Sequence, residues 1–116
     1  MSTTHLTYQQ CLTLDPETLR GYVRQLFRLA CSEQENATDI QCDTQDLCRT
    51  TVARLEIIGD IIRILVVKNA ALGDQDLVYP FNDTAQGRRT KSAIGRIIYH
   101  LILGTWPSQH LAIKAD

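Results

Sequence analysis

The chain has 116 residues, of which 44% are hydrophobic and 22% charged, so we expect one globular domain with its own core and exclude a disordered chain. Its 12 Lys and Arg residues nearly balance 13 Asp and Glu residues, so net charge gives no reason to expect nucleic acid or a membrane surface as partner. The sequence shows neither a signal peptide at its start nor an apolar run long enough to span a bilayer, which predicts a cytoplasmic protein.

Four cysteines are present, and no two of them show C-x-x-C spacing. The spacing of Cys42 and Cys48 matches no familiar zinc half-site. Because an export signal is missing, we interpret the cysteines as reduced thiols that mostly fill the core. We therefore expect no metal and no cofactor.

A polar segment, residues 1–14, opens the chain, and we expect a flexible N-terminus there. Asp15-Pro16-Glu17 is typical of a helix start, because aspartate caps the first turn and proline suits the first helical position. The sequence therefore predicts a first helix at about residues 15–32. Its buried face is marked by four apolar residues at helical spacing, Leu19, Val23, Leu26 and Ala30.

An acidic segment that is poor in apolar residues follows, and it predicts a connector before the central helix. From about residue 44 to 69, helical spacing collects apolar residues on one broad face and Glu56, Asp60 and Arg63 on a narrow opposite strip. A strand would need alternation, which is absent, so the pattern predicts a long central helix. The rival is a helix that ends near Asp60 and continues as a buried strand at 61–67, which the β-branched residues favour.

A second connector, residues 70–87, contains a piece near 77–81 that can be extended and pack on the core. The last helix is predicted at about residues 90–103, since Gly104 suits a helix C-terminus. Its apolar stripe comprises Ile94, Ile97, Ile98, Leu101 and Ile102. The whole pattern predicts an all-α bundle of three main helices in a single domain over residues 15–104, followed by a C-terminal tail, 105–116.

The central helix carries a second apolar stripe formed by Ile57, Ile61 and Ile64. Either the first and last helices cover it, or it is an interface, since exposed apolar surface is unfavourable and a two-fold dimer commonly covers it. The second explanation leads to our first functional hypothesis, a small protein–protein interaction module such as an adaptor, regulator or assembly factor. It would be a homodimer that uses this stripe.

Catalytic groups are hard to find in this sequence. Glu56 and Asp60 are four residues apart, a spacing that suits an acid pair or half a metal site, but Arg49 and Arg63 flank them. An ion-paired, solvent-exposed face is the more ordinary interpretation. The three histidines lack metal-ligand spacing, and we see no nucleophile beside a base. We therefore predict a protein that is not an enzyme and has no small-molecule substrate.

The sequence contains two clusters of basic residues, although acidic residues elsewhere keep the net charge small. One runs along the first helix (Arg20, Arg24 and Arg28), and the other opens the last helix (Arg88, Arg89, Lys91 and Arg96). They are either solvated faces paired with the acidic connectors or contacts for an acidic partner or nucleic acid.

One resemblance concerns residues 89–98, RTKSAIGRII, which look like the second helix of a helix-turn-helix. That helix places polar and basic residues in the major groove. The motif's first helix should lie at residues 80–87, a segment that begins with Pro80 and is poor in apolar residues. The resemblance implies an alternative function, a nucleic-acid-binding regulator that uses the basic C-terminal helix.

Overall fold

A computed structural model describes residues 8–37 and 47–104 of the chain. Its elements are α1 (Tyr8–Thr13), α2 (Pro16–Asn36), α3 (Arg49–Val67), a 3₁₀ turn (Asp74–Asp76) and α4 (Ala85–Leu103). The described residues contain no strand, so the prediction of an all-α bundle with three long helices is confirmed. None of the helices in these ranges has both the length and the hydropathy that a membrane crossing needs.

Helix α2 begins as predicted and ends later than predicted. The Asp15 side chain accepts a hydrogen bond from the Thr18 N–H at 3.2 Å, and Pro16 occupies the first helical position. The helix continues past residue 32 to Asn36, because Gln34 is buried against α3. Its Oε1 accepts from the backbone N–H of Cys48 at 2.7 Å and from the Thr51 hydroxyl at 3.2 Å. Contacts with another helix therefore stabilise a last turn that the acidic local sequence does not predict.

Helix α3 is one continuous helix, so the rival strand at residues 61–67 is wrong. Its described start is Arg49, and the predicted start near residue 44 lies outside the described residues. The helix ends two residues before Asn69, which adopts a left-handed φ of 58°. There the N–H of Ala70 reaches back to the carbonyl of Leu65 at 2.8 Å and closes the helix end.

Helix α4 begins at Ala85 rather than near residue 90. The Thr84 hydroxyl caps it by accepting from the Gly87 N–H at 2.9 Å. Gly87 lies so close to the backbone carbonyl of Asn82 that a side chain would collide with it, which explains a glycine inside the first turn. The predicted helix end is confirmed, with Gly104 at φ 76°.

The core lies where α3 packs against α2 on one side and against α4 on the other. The buried face predicted for α2 is confirmed, and α4 buries Ile94, Ile97, Ile98 and Leu101. Residues 77–81 form neither helix nor strand, but Leu77, Tyr79 and Phe81 pack against this core. The predicted C-terminal tail, residues 105–116, falls outside the described residues.

Helices α3 and α4 approach each other closely at Gly59. A Cβ atom at this position would lie 2.5 Å from Cδ2 of Leu101, a distance that real Cβ contacts do not show. Leu101 is itself buried. Glycine in mid-helix lowers helix stability by roughly 1 kcal/mol relative to alanine, and here it permits the two helices to touch.

Helix α1 lies in a segment for which we expect a flexible N-terminus. Cys11 is fully buried in the core, and Leu12 and Leu14 pack partly against it. The Lys68 ammonium, at the end of α3, donates to the carbonyl of Leu12 at 2.6 Å. The sequence of this segment is polar, so its order depends on docking against α3.

Candidate functional site

The second apolar stripe of α3 is covered by the chain itself. Ile57, Ile61 and Ile64 are 6%, 0% and 2% exposed. The first of our two explanations, cover by the chain's own helices, therefore accounts for this stripe. The hypothesis of a partner interface through these three side chains needs correction, because a partner would reach them only if the bundle opened.

The two carboxylates of the charged strip on α3 are also buried, against our expectation of a solvent-exposed face. Glu56 is 2% exposed and Asp60 is 8% exposed, whereas Arg49 and Arg63 reach solvent. Arg63 Nη1 donates to Asp60 Oδ1 at 2.7 Å. Helix α1 contacts α3 and brings the buried Cys11 close enough to Asp60 for the two groups to interact electrostatically.

The Asp60 carboxyl is buried, and one of its two oxygens, the buried Oδ2, lacks a hydrogen-bond partner within the described residues. Burial raises the pKa of Asp60 to about 6, the Arg63 guanidinium opposes that rise, and the Glu56 carboxylate adds to it. Burial, together with the charge of Asp60, also raises the pKa of the Cys11 thiol. The carboxyl therefore holds a proton to a higher pH than an ordinary aspartate does.

The thiols of Cys11 and Cys31 are buried in the core of the described ranges. No group of three or more His, Cys, Asp and Glu side chains there is arranged to hold a metal ion. Cys11 and Cys31 are free cysteines, and burial raises the pKa of Cys31 to about 12. A thiol with a raised pKa is a poor nucleophile, so Cys11 and Cys31 behave as core residues.

The arginines of α2 bind groups within the chain. Arg24 Nε donates to the buried Asp76 carboxylate at 2.7 Å, and Arg20 Nε donates to the carbonyl of Ala71 at 3.0 Å. Both arginines also pair with Glu17. Burial would raise the pKa of Asp76, but the Gly73 N–H and Arg24 lower it below its ordinary value.

These contacts correct our expectation of an acidic partner for Arg20 and Arg24. Both side chains fasten the loop after α3 to α2, with carboxylates of the same chain as their partners. The acidic partner Asp76 lies 52 residues from Arg24 along the sequence. Of the three arginines in this cluster, Arg28 is the exposed one.

The exposed side of α4 carries basic side chains in the earlier part of the helix and apolar side chains near its end. Near its start, four basic side chains are exposed: Arg88, Arg89, Lys91 and Arg96. Near its end, Tyr99, Ile102 and Leu103 are 61%, 57% and 55% exposed. These three residues are at i, i+3 and i+4, so they share one side of the helix. We name them the α4 apolar face.

Sequence reasoning missed the α4 apolar face, because we placed Ile102 in the inward stripe. Leu101 is buried and Ile102, one residue further, lies about 100° around the helix and points outward. The signal was present in the sequence: α4 has more large apolar residues near its end than one inward stripe requires. A second exposed apolar pair, Val66 and Val67, ends α3.

The arrangement before α4 differs from a helix-turn-helix. Residues 68–84 separate α3 from α4, and in them the structure shows a single 3₁₀ turn, Asp74–Asp76. The motif's first helix, expected at residues 80–87, is thus absent from this described part of the chain. Arg88, the first residue of the basic cluster, pairs with Asp83 at 2.8 Å, and both side chains are well exposed. Such surface pairs contribute little stability.

Comparison of the chain with protein-family models, with curated proteins and with solved structures gave no match. The functional proposals therefore depend on the chain's own contacts, burial and charge.

Proposed function

We propose that the protein is a non-enzymatic interaction module that associates with a second copy of itself through the α4 apolar face. The observation that carries the proposal is the exposure of Tyr99, Ile102 and Leu103, each more than half accessible and all on one side of one helix. Large apolar side chains grouped on a surface are typical of protein–protein contacts, and tyrosine is enriched there. This surface replaces the buried stripe of α3 as the proposed interface.

The charges of α4 favour a second copy in an antiparallel arrangement. The helix has no acidic residue, and its exposed basic residues lie in the segment 88–96. Two copies in parallel would bring these like charges together. A two-fold axis near Leu101 places apolar face against apolar face and keeps the cations apart. Arg96, the exposed cation nearest to that axis, lies roughly 7.5 Å from it along the helix, so the two copies of Arg96 are about 15 Å apart in that direction.

The substitution Ile102→Glu tests this proposal by placing a charge in the centre of the proposed interface. We expect the unaltered chain to have twice the 13.1 kDa mass of one copy, and Ile102→Glu to shift it toward one copy. Burial of an unpaired charge opposes association. Size-exclusion chromatography with light scattering measures the mass over a series of concentrations.

The matched control is Gln25→Glu, which adds the same charge at an exposed position of α2 and should leave the mass unchanged. Far-ultraviolet circular dichroism verifies that each variant is folded. An unaltered chain with the mass of one copy at every concentration would overturn the proposal.

A second candidate function, nucleic-acid binding, is favoured by the exposure of all four cations at the start of α4. Cationic side chains release counterions from phosphate, so affinity should fall steeply with salt. We expect Lys91→Glu to weaken binding of a labelled DNA duplex, measured by fluorescence anisotropy, while Arg28→Glu on α2 has a smaller effect. If the unaltered chain binds neither duplex nor single strands at low salt, this candidate is removed.

A further inference from the structure

Helix α1 is a short helix that contacts α3, with Cys11 near Asp60 and Leu12 near Lys68. It has six residues, which is too few for a stable isolated helix. It is held by burial of Cys11, by partial burial of Leu12, and by the hydrogen bond from the Lys68 ammonium to the Leu12 carbonyl. The docking of α1 against α3 therefore depends on a small number of contacts. A modest change in the free energy of these contacts is enough to shift the equilibrium between the docked and the released helix.

The ionisable group on which the docking of α1 depends is the Asp60 carboxyl, near Cys11. Arg63 bonds one of its oxygens, whereas the other, Oδ2, is buried with no hydrogen-bond partner in the described residues. An ionised carboxylate with a buried unpartnered oxygen is strongly disfavoured, and a neutral carboxyl is disfavoured far less. Release of α1 would let water reach that oxygen, so the ionised form prefers the open arrangement.

We propose that α1 is a proton-controlled latch, closed over α3 while Asp60 holds a proton and released when Asp60 loses it. Because burial raises the pKa of Asp60 from about 3.8 to about 6, closure is favoured below the lower value and is progressively lost as the pH rises through the upper one. The difference of about two pKa units corresponds to a change of roughly a hundredfold in the closing equilibrium. Release would expose Cys11 and the acidic side of α3.

Other ionisable groups lie on every element that packs around Asp60. On α3 itself, Arg63 opposes proton uptake and Glu56 favours it. Helix α1 contributes the thiol of Cys11, whose pKa is also raised. Helix α4 carries His100 next to Leu101, the residue that packs on Gly59 of α3.

The charged groups of α2 have other partners or face solvent. Arg20 and Arg24 bind the loop after α3, and Arg28 is exposed. The contribution of Asp60 must also be separated from that of His100 on α4. The experiment therefore compares the chain with Asp60→Asn, which removes the Asp60 titration and leaves His100 in place.

The test is alkylation of Cys11 by iodoacetamide from pH 5 to pH 8, with the modified peptide quantified by mass spectrometry. The rate for the unaltered chain is divided by the rate for Asp60→Asn at each pH, which cancels the ordinary titration of a thiol. We expect this ratio to rise about tenfold or more between pH 5 and pH 8. The charge of Asp60 itself suppresses thiol ionisation, so it works against the expected rise.

Cys31, fully buried in α2, is the internal control, and its ratio should change much less than that of Cys11. A Cys11 ratio that stays constant overturns the proposal. So does a parallel rise at Cys31, because that would report opening of the whole bundle. A second variant, Lys68→Met, removes the hydrogen bond to the Leu12 carbonyl, because methionine has no N–H donor. It should speed modification of Cys11 at pH 5 without changing that of Cys31. Equal rates for Lys68→Met and the unaltered chain would also contradict a latch.

Discussion

Replacement of Asp60 by asparagine is expected to raise the free energy of unfolding at pH 8 by about 1–3 kcal/mol. The pKa of Asp60 is raised to about 6 in the folded chain, from an ordinary value near 3.8. The stability that this proton binding contributes is full below about pH 4 and is lost as the pH rises through about 6. Two pKa units correspond to roughly 3 kcal/mol, and loss of the charged partner of Arg63 offsets part of the gain.

Urea unfolding at several pH values from 4 to 8 measures this effect. The stability difference between Asp60→Asn and the unaltered chain should be small at pH 4 and should grow until about pH 7. Asp83→Asn, at a carboxylate that is 95% exposed, is the matched control and should change stability little at any pH. An Asp60→Asn chain that is less stable than the unaltered one at pH 8 would contradict the burial of an uncompensated charge.

A valine at position 59 is expected to lower the free energy of unfolding by about 3 kcal/mol. The Cβ atom of valine alone would lie 2.5 Å from Cδ2 of Leu101. Valine adds two methyl groups beyond that atom, at this contact between α3 and α4. Leu101 is buried, so it has little room to move. Thermal and urea unfolding measure the loss.

A double-mutant cycle separates this collision from other effects of valine. In a Leu101→Ala chain the space is free, so Gly59→Val should be less destabilising there by at least about 1.5 kcal/mol. Gly95→Val on α4 is the control, because a Cβ at that glycine meets nothing within 4 Å. It should not lower stability appreciably. Equal costs of Gly59→Val with and without the Leu101 side chain would show that the helices do not meet there.

The helical period was sufficient to predict the class of fold and most inward faces. In α3 it distinguished a helix from a strand at residues 61–67, because Glu56, Asp60 and Arg63 recur at helical intervals. It also predicted the inward positions of α2 and the glycine that ends α4. Local sequence carries this information because capping and periodicity involve residues a few positions apart.

The features of the candidate site could not be predicted from the sequence, because they depend on contacts between residues that are far apart along the chain. A charged strip predicts solvent exposure, but Glu56 and Asp60 of this strip are buried. Helix α1, whose Cys11 interacts with Asp60, is polar and short, so its sequence does not predict docking against α3. In the same way, the partner of Arg24 is Asp76, far away along the chain. The burial of Asp60 and the pairing of Arg24 therefore required the three-dimensional arrangement, which also moved the proposed interface from α3 to the end of α4.

The central claim, self-association through the α4 apolar face, is tested most directly by hydroxyl-radical footprinting at low and high protein concentration. The method reports side-chain accessibility, and Tyr99, Ile102 and Leu103 are all accessible in one chain. We predict that the oxidation of these three residues falls as the concentration rises, while that of the exposed Val78, outside the proposed interface, stays constant. Unchanged oxidation of Tyr99, Ile102 and Leu103 at a concentration where the chain is associated would contradict the account.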